Sequence, residues 1–357
     1  MTTLPASNSG AWRGVSAPIY PTAAQWADSV ANVAVTIGSL SLNQPNSHAR
    51  LIISVPSGTT QLVAWIGNTL ISGVFSFDGS VGVYVDGVYN TSWANPSTLA
   101  ASVVQPFYLT LDGSAHTVEL WAGYQQLGST PLTFLGTQVY AVQGAGISLV
   151  TPPSAIRRTV FYGDSICEGG ASSPNQRDCY LARLRGIAPA GMAISQEGAG
   201  ARALWDDSGT GSGQQGFASQ ALLASRLVAL VAGATTREVV MVIGYNDING
   251  HRWANDGAFA AAWGTALDAI HSADSGVHIY GVSMIDAAID FASVRTLMAA
   301  EAATRTGFCT YVDGTTLMAS SGLSGDGTHP TSNGHQALAL GTGPDAGTSS
   351  FKAMLGI

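Results

Sequence analysis

The pattern of apolar residues changes near residue 150, and this change constrains the fold more than any other feature of the sequence. After residue 156, apolar runs alternate with helical stretches, which is typical of a parallel sheet covered by helices on both faces. The run Val239–Ile243 is apolar throughout, as a strand buried on both sides should be. The predicted strands are 159–163, 191–195, 238–243, 277–283 and 308–312, and the predicted helices lie near 178–187, 214–232, 255–272, 292–306 and 333–340.

Before residue 150 the sequence predicts an all-β region. Short runs rich in Val, Thr, Tyr and Phe recur between turn signals, and Asp-Gly pairs supply the positive φ angles that tight hairpins require. A β-sandwich or jelly roll is the most economical fold for such a region. The predicted strands are 33–42, 49–55, 61–66, 81–85, 107–111, 116–121 and 137–142, and the Asp-Gly pairs lie at 78–79, 86–87 and 112–113.

The length of the chain predicts two domains. A chain of 357 residues exceeds what one hydrophobic core usually serves. We expect an accessory β-sandwich domain over residues 1–150 and an α/β domain over residues 151–357. The linker between them is predicted at 144–156, where two glycines and two prolines lie close together.

Composition argues against several classes of function. The net charge is −8 and there is no basic cluster beyond Arg157–Arg158, which argues against a nucleic-acid partner. Only 10% of the residues are charged, yet no run of about 18 apolar residues occurs, so we expect no membrane span. Residues 1–5 lack a basic start followed by an apolar stretch, so no signal peptide is visible. The sequence is compatible with a secreted protein whose signal peptide was removed and with a cytoplasmic protein.

The three cysteines, Cys167, Cys179 and Cys309, do not have the spacing of a metal site. We expect neither a metal nor a cofactor. Because the number is odd, at least one thiol stays free or pairs between chains. A bridge between Cys167 and Cys179 would stiffen the loop between them, and the alternative is that both are small buried thiols.

Four short strings in the second half of the chain carry the residue types of a serine-nucleophile site. A Ser hydroxyl needs an imidazole base, a carboxylate that orients the imidazole, and donors for the developing oxyanion. Ser165 follows an apolar run that ends at Gly163, and Asn246 follows Val239–Ile243, so both are expected at the carboxyl ends of strands, where open sheets bind ligands. The strings are Gly163-Asp164-Ser165-Ile166, Gly200, Gly244-Tyr245-Asn246-Asp247 and Asp326-Gly327-Thr328-His329.

Each of these residues also has an ordinary structural interpretation. Ser165 and Asn246 are residue types that cap helices or form turns. His335 competes with His329 for the role of base, but it follows Asn-Gly into a helical run. Rival carboxylates are Asp247, Asp286 and Asp313; Asp326 is preferred over them because its i, i+3 spacing lets it reach His329 locally.

Together these strings resemble the four motif blocks of the SGNH, or GDSL, hydrolase superfamily. Ser165-Ile166-Cys167-Glu168-Gly169 is similar to the Ser-Ile-Thr-Glu-Gly form of its acyl esterases. Gly200 matches the glycine of the second block, although Ser195 stands where that block usually has Asn, and Gly198 is a rival for the glycine. The resemblance covers about residues 155–340.

The resemblance implies a flavodoxin-like three-layer αβα fold and a serine esterase. Ser165 would be the nucleophile, His329 the base and Asp326 the orienting acid. The oxyanion hole would combine the backbone N–H groups of Ser165 and Gly200 with the side-chain amide of Asn246.

A β-sandwich ahead of such a domain resembles carbohydrate esterases that remove acetyl groups from polysaccharides, so a polysaccharide or small-molecule acetyl ester is the expected substrate. A lipid or aryl esterase and a thioesterase are alternatives, and a glycan-binding or virion-attached module is an alternative from another class. Candidate substrate-binding residues are Asp164, Arg202, Trp205, Arg252 and Trp253. The bulk of the loops that carry the tryptophans favours a small acyl pocket, although each tryptophan also suits plain packing.

Overall fold

The computed structural model of the chain forms two compact units, Met1–Pro153 and Ser154–Ile357. The structure describes residues 19, 26–27, 35–36, 39–40, 50–68, 81–93, 104–121, 126–127, 134–135, 137–151, 155–169, 179–198, 203–204, 220–250, 253–285 and 290–357.

The described residues of the first unit form strands and turns, and the strands pair antiparallel. The strands are β1 (Trp26–Ala27), β2 (Val35–Thr36), β3 (Ser39–Leu40), β4 (Arg50–Val55), β5 (Gln61–Asn68), β6 (Val81–Val85), β7 (Val88–Trp93), β8 (Val104–Thr110), β9 (His116–Trp121), β10 (Gln126–Leu127), β11 (Phe134–Leu135), β12 (Thr137–Gln143) and β13 (Ser148–Leu149).

Two sheets contain most of the described residues of the first unit. The larger has the order β1-β4-β9-β6-β7, with β13 paired to β4, and the smaller has the order β12-β5-β8. Successive side chains of a strand point to opposite faces, and in β4 Ile53 and Val55 are buried while Ser54 between them is exposed. Buried side chains of both sheets, among them Ile53 of β4 and Leu62 of β5, belong to one hydrophobic core. The described part of the unit therefore contains two antiparallel sheets that share one hydrophobic core.

The predicted Asp-Gly hairpins have different outcomes. Asp86 (φ 51°) and Gly87 (φ 76°) both have positive φ and join β6 to its antiparallel partner β7, as predicted. Gly113 also has positive φ, but its turn joins β8 of the smaller sheet to β9 of the larger one. The hairpin prediction at 112–113 is wrong because an Asp-Gly pair sets the local turn and not the pairing of the flanking strands. The pair at 78–79 lies outside the described residues.

Six predicted strands of this region coincide with β4, β5, β6, β8, β9 and β12 to within three residues. The strand predicted at 33–42 lies mostly outside the described residues. Strand β7 was not predicted. Its Val88 is 68% exposed and Asn90 is exposed as well, and among its side chains that the structure describes Trp93 is the buried one.

The second unit alternates strands with helices. Its strands are β14 (Arg157–Gly163), β15 (Met192–Gly198), β16 (Thr236–Val242), β17 (Val277–Val282) and β18 (Cys309–Val312). Its helices are α1 (Ser165–Glu168), α2 (Tyr180–Ile187), α3 (Gln220–Val231), α4 (Tyr245–Asn249), α5 (Asp256–Ala273), α6 (Ala292–Ala303), α7 (Ser332–Leu340) and α8 (Phe351–Leu355), with 3₁₀ turns at Gly314–Thr316 and Ser320–Gly322.

The five strands form one parallel sheet in the order β15-β14-β16-β17-β18. Counted within this unit the order is 2-1-3-4-5, which is the order of flavodoxin-like sheets. Residues 238–242 of the central strand β16 are all buried, as expected for a strand covered on both faces. Helices α3, α5 and α6 pack in series, as do α2, α7 and α8. The chain is therefore a mixed α/β protein, as predicted.

The five longer helices and the strands of this unit lie close to their predicted positions, whereas the short helices α1, α4 and α8 were not predicted. Side-chain caps explain several boundaries: Asn255 Oδ1 accepts from the N–H of Ala258 at the start of α5, and Gly341 ends α7 in the left-handed conformation. Within the described ranges, no helix combines the length and apolarity needed to cross a membrane.

Candidate active site

The register of the sheet brings two of the predicted motif strings to neighbouring strand ends. Gly163, the last residue of β14, pairs with Val242, the last residue of β16. Ser165 follows two residues after the first and Asn246 follows four residues after the second. Because the strands are parallel, both residues lie at the carboxyl edge of the sheet, where open α/β sheets bind ligands.

The turn that presents Ser165 depends on Gly163 and Asp164. A Cβ on Gly163 would lie 2.5 Å from Cβ of Cys167 and 2.5 Å from the carbonyl oxygen of Val242, so only glycine lets α1 fold back onto the strand end. The carboxylate of Asp164 is buried and accepts from the N–H of Ile166 at 3.0 Å, capping α1. Ser165 is therefore the first residue of the helix, and the capping role belongs to Asp164. A contact between Asp164 and substrate stays a prediction.

His329 joins Ser165 to Asp326. Its Nε2 lies 2.7 Å from Oγ of Ser165, and its Nδ1 lies 2.7 Å from Oδ2 of Asp326. An ionised carboxylate accepts only, so Nδ1 carries the hydrogen and donates it to Asp326. The Nε2 of the neutral ring is then an acceptor, and the Ser165 hydroxyl donates to it. This arrangement can take a proton from the serine as its oxygen attacks an electrophile.

The carboxylate of Asp326 also organises its own loop. Its Oδ1 accepts from the hydroxyl of Ser324 at 2.6 Å and from the backbone N–H groups of Thr328 and His329 at 2.9 and 3.0 Å. Desolvation alone would raise the pKa of Asp326, but the hydrogen bonds from Ser324, His329 and Thr328 together lower this pKa well below its ordinary value. Asp326 therefore stays ionised across the physiological range of pH.

Gly244 and Asn246 form the start of the short helix α4. Gly244 has φ 135°, and a Cβ there would lie 2.8 Å from Sδ of Met284 and 2.8 Å from Cζ of Phe259. The position therefore requires glycine both for its conformation and for space. Asn246 is the second residue of α4 and is half-buried. The tight turn at Gly244 keeps Asn246 at the edge of the sheet that also carries Ser165.

Asp247 does not compete for the role of orienting acid. It is fully buried, and its carboxylate accepts from the N–H of Leu204 at 3.0 Å and from Nε1–H of Trp253 at 2.8 Å. The hydroxyl of Tyr162 donates to the carbonyl oxygens of Ala203 and Leu204 at 3.0 and 2.7 Å. Asp247 and Tyr162 thus both bind the segment 203–204. The motif pattern does not predict these hydrogen bonds, because it links neither side chain to that segment.

The other rivals also have structural roles. His335 is fully buried, its ring stacks on Tyr180, and its Nδ1 accepts from the N–H of Tyr180 at 3.4 Å. Asp313 caps the first 3₁₀ turn by accepting from the N–H of Thr315 at 3.0 Å. Asp286 lies outside the described residues.

Several predicted site residues lie outside the part of the chain that the structure describes, namely Gly200, Arg202, Trp205 and Arg252. Gly198, the rival glycine, is the last residue of β15 and pairs with Gly163. The choice between Gly198 and Gly200 therefore stays a prediction. Trp253 is half-buried, and its ring packs edge-on against Phe259 at 6.3 Å.

The three cysteines are buried and none of them forms a disulfide, so there is no bridge between Cys167 and Cys179. Cys179 is the N-cap of α2, where its Sγ accepts from the N–H of Ala182 at 3.4 Å. Burial raises the pKa of the Cys179 thiol, and it raises that of Cys309 to about 11. Both thiols therefore stay protonated and unreactive near neutral pH.

One contact across the site was not predicted. The hydroxyls of Tyr245 and Thr328 lie 2.7 Å apart. These residues occupy the variable positions of Gly-x-Asn-Asp and Asp-x-x-His, so no motif draws attention to them.

Comparison with known proteins yields similarity of structure only, since no family model and no curated protein matches the sequence. A family two carbohydrate esterase from Cellvibrio japonicus is 14% identical, with a TM-score of 0.64 over 91% of this chain and 95% of its own. A GDSL-like lipase from Bacteroides ovatus is 10% identical, with a TM-score of 0.54 over 83% of this chain and 82% of its own. The chain has an SGNH/GDSL esterase-like fold.

This esterase-like fold is shared with a protein of different activity. The salicylyl-acyltransferase SsfX3 from a tetracycline biosynthetic pathway is 17% identical, with a TM-score of 0.60 over 90% of this chain and 94% of its own. At such identities the likeness establishes the fold, and function has to be argued from the site.

Proposed function

We propose that the protein is a serine esterase that hydrolyses short-chain acyl esters, in the first place acetyl esters carried by a carbohydrate. The observation that carries the proposal is the hydrogen-bonded series from Asp326 through His329 to Ser165, with distances of 2.7 Å on both sides of the imidazole. The series lies at the edge of the sheet where such folds bind ligands. An ionised Asp326 keeps the imidazole in the tautomer that accepts the proton of serine.

In the first half of the proposed reaction, Oγ of Ser165 attacks the ester carbonyl carbon while Nε2 of His329 takes the hydroxyl proton. Asp326 stabilises the imidazolium that results. The bond between the carbonyl carbon and the alcohol oxygen then breaks, and the alcohol leaves with the proton that His329 returns. The acyl group stays on Ser165 as an ester.

In the second half, water replaces the alcohol. His329 takes a proton from water as the water oxygen attacks the acyl-enzyme, and it returns this proton to Oγ of Ser165 when the acid leaves. The negative oxygen that forms in both halves would be held by the backbone N–H groups of Ser165 and Gly200 and by the amide of Asn246.

We infer that the second unit is a flavodoxin-like three-layer catalytic domain and that the first unit is an accessory β-sandwich. The strand order 2-1-3-4-5 supports the former, and the two antiparallel sheets around one core support the latter. The carbohydrate esterase from Cellvibrio japonicus matches 91% of the chain, which takes in both units. This likeness is what favours a carbohydrate ester as substrate.

The decisive experiment is hydrolysis of p-nitrophenyl acetate by single and double variants. We expect Ser165→Ala and His329→Ala each to abolish turnover, and the double variant to be barely worse, because the two residues act as one proton-transfer unit. Ser272→Ala, which changes an exposed serine of α5, is the matched control and keeps full activity. Additive losses in the double variant, or an active Ser165→Ala protein, would reject the assignment.

A substrate panel then defines the acyl and alcohol parts. We expect acetylated xylan and p-nitrophenyl acetate to be cleaved and the octanoyl ester to be a poorer substrate. If kcat/KM instead rises with acyl length, a lipid or aryl esterase is favoured, because added methylenes then gain burial energy. Preference for thioesters indicates a thioesterase, and glycan binding without hydrolysis indicates a binding or attachment module. Acyl transfer to an added alcohol faster than hydrolysis indicates an acyltransferase, the activity of one structural neighbour.

A further inference from the structure

The hydrogen bond between Tyr245 and Thr328 joins the segments that carry the Gly-x-Asn-Asp and Asp-x-x-His motifs. Tyr245 Oη and Thr328 Oγ1 lie 2.7 Å apart in a partly buried position. Tyr245 immediately precedes Asn246, and Thr328 immediately precedes His329. The bond therefore connects the backbone that carries the proposed oxyanion amide with the backbone that carries the proposed base.

Tyr245 has a fixed position from which its hydroxyl can act. It is the first residue of α4, directly after the constrained turn at Gly244. Its ring packs edge-on against the buried ring of Phe291, with centroids 5.7 Å apart. Tyr245 also lines a small hollow together with Ile166 and Met284. Because the contact with Phe291 already restrains the ring, less freedom is lost when the hydroxyl binds Thr328.

The loop that contains Thr328 and His329 determines its own shape through internal hydrogen bonds. Asp326 binds the backbone N–H groups of Thr328 and His329, and the N–H of Ser324 donates to the carbonyl oxygen of His329 at 2.7 Å. These bonds leave the distance between the loop and the sheet edge undetermined, because the loop follows the two 3₁₀ turns and is not part of the parallel sheet. The hydroxyl of Tyr245, which belongs to a helix at that edge, adds a direct restraint on this distance through its bond to Thr328.

We propose that Tyr245 is a positioning residue whose hydroxyl holds the Asp326–His329 loop at proton-transfer distance from Ser165. The inference rests on the proposed serine esterase function. Tyr245 acts through Thr328 on the next residue, His329, and its hydroxyl binds no atom of the Ser165–His329–Asp326 series. Removing the bond lets the loop drift, and small misplacements of a catalytic group are costly in rate.

The first test is Tyr245→Phe, which removes one oxygen and keeps the ring. We expect kcat for p-nitrophenyl acetate to fall about tenfold with KM within about twofold, since one of several restraints on His329 is lost and misplacement by a full ångström costs about a hundredfold. Thr328→Val should give the same loss, and the double variant should be no worse than either, because all three remove one bond. Thr328→Ser keeps the hydroxyl and should retain most of the activity.

Tyr311→Phe is the matched control. Its hydroxyl donates to the carbonyl oxygen of Arg295 at 3.1 Å between β18 and α6, so this variant loses a hydrogen bond of the same unit without altering kcat. Labelling of Ser165 by an organophosphonate gives an independent readout, and Tyr245→Phe should slow the labelling step while leaving the saturation constant unchanged.

Three results would overturn the positioning role: unchanged kcat in both Tyr245→Phe and Thr328→Val, additive losses in the double variant, or a loss carried by KM alone. The last result would mean that the hydroxyl contacts the substrate. Failure of the esterase proposal can be distinguished from failure of the positioning role. If the esterase proposal is wrong, activity survives in Ser165→Ala, whatever the behaviour of Tyr245→Phe.

Discussion

At the scale of single residues, the two oxygens of Asp326 have different tasks. Oδ1 accepts three hydrogen bonds that build the loop, and Oδ2 faces Nδ1 of His329. A substitution that keeps Oδ1 and changes only Oδ2 would separate the shape of the loop from the orientation of the imidazole. Asparagine is such a substitution, because its side chain retains one acceptor oxygen and replaces the other by an amide donor.

We therefore predict that Asp326→Asn folds normally and loses most of its activity. An amide donor opposite Nδ1 favours the tautomer with hydrogen on Nε2, which cannot take the proton of Ser165. The expected fall in kcat is about 10⁴-fold, as for the same exchange in serine proteases. Steady-state kinetics measures the activity of the variant, and thermal unfolding measures its stability. Asp313→Asn, which changes the cap of the first 3₁₀ turn, is the control with unchanged kcat; a similar kcat for both variants would contradict the role of Asp326.

Asn246 provides a second test at this scale. Loss of one oxyanion donor costs about 10²- to 10³-fold in kcat, and we expect a fall of this size for Asn246→Ala, in which alanine suits the helical conformation of this position. Asn255→Ala is the matched control. It removes the cap of α5 and should cost about 1 kcal/mol of stability without lowering kcat. If the two variants instead lose activity equally, the loss comes from reduced stability and not from a missing oxyanion donor, and the role of Asn246 is structural.

The sequence is sufficient to predict Ser165, Asp326 and His329 as candidates because their chemistry demands particular residue types at particular spacings. It does not predict the hydrogen bonds of Asp247 and Tyr162 to the segment 203–204, or the bond between Tyr245 and Thr328. These contacts span 41 to 83 residues of sequence and involve side chains for which many alternatives exist at each position. Such pairs become visible only when the sheet register brings their loops together.

At the scale of elements, local patterns predict most strands and helices but not their partners. The parallel strands of the second unit follow from apolar runs that are buried on both faces, as in β16. The turn at 112–113 was mistaken for a hairpin because pairing of β9 with β4 and β6 is a long-range property. Helices α1 and α4 escaped prediction because four or five residues are too few to show a helical period.

The Asp-Gly turns at 86–87 and 112–113 of the first unit are joined by an ionic cluster. Nδ1 of His116 lies 2.7 Å from Asp86 and its Nε2 lies 2.9 Å from Asp112, so the imidazole at the start of β9 links the two Asp-Gly turns. Hydrogen bonds to Asp86 and Asp112 raise the pKa of His116. The largest cause that lowers the pKa of Asp86 is its hydrogen bond with His116. The largest cause that lowers the pKa of Asp112 is its hydrogen bond from the backbone N–H of Ser114.

This cluster predicts a pH dependence of local stability. The pKa of His116 is higher in the folded state than its ordinary value of 6.5, so its stabilisation is present below about pH 6.5 and is lost as pH rises through the folded value. The carboxylates have lowered pKa values, so their stabilisation is present above about pH 4 and is lost at more acidic pH. The cluster therefore stabilises both turns most between these limits.

Hydrogen exchange of residues 111–121, corrected for the intrinsic exchange rate, measures this effect. Protection of the wild-type segment should fall between pH 6 and pH 8, and in His116→Gln it should be lower at pH 6 and nearly independent of pH over that interval. His278→Gln is the control, since the ring of His278 on β17 has its hydrogen bond with the hydroxyl of Thr310, at 3.0 Å. An equal fall in wild type and His116→Gln would show that the cluster is not the cause.

At the scale of the whole molecule, the residues of the proposed site all belong to the unit Ser154–Ile357. The first unit, Met1–Pro153, has its own hydrophobic core and contributes no residue to the Ser165–His329–Asp326 series. We therefore predict that a protein beginning at Ser154 keeps its activity on p-nitrophenyl acetate and loses activity on acetylated xylan. Activity on the polymer should fall because an accessory domain raises the local concentration of the substrate at the site.

The prediction is checked by initial rates on both substrates, measured on protein that is monodisperse by size-exclusion chromatography. The Ser165→Ala form of the shortened protein gives the background rate. Binding of the isolated unit 1–153 to insoluble acetylated xylan is an independent measurement that does not require the shortened enzyme to fold. Unchanged rates on both substrates together with no binding by 1–153 would contradict a polymer-holding role. The first unit would then have to act in another way, such as attachment or self-association, because a separate core of two antiparallel sheets is not needed for hydrolysis of a small ester.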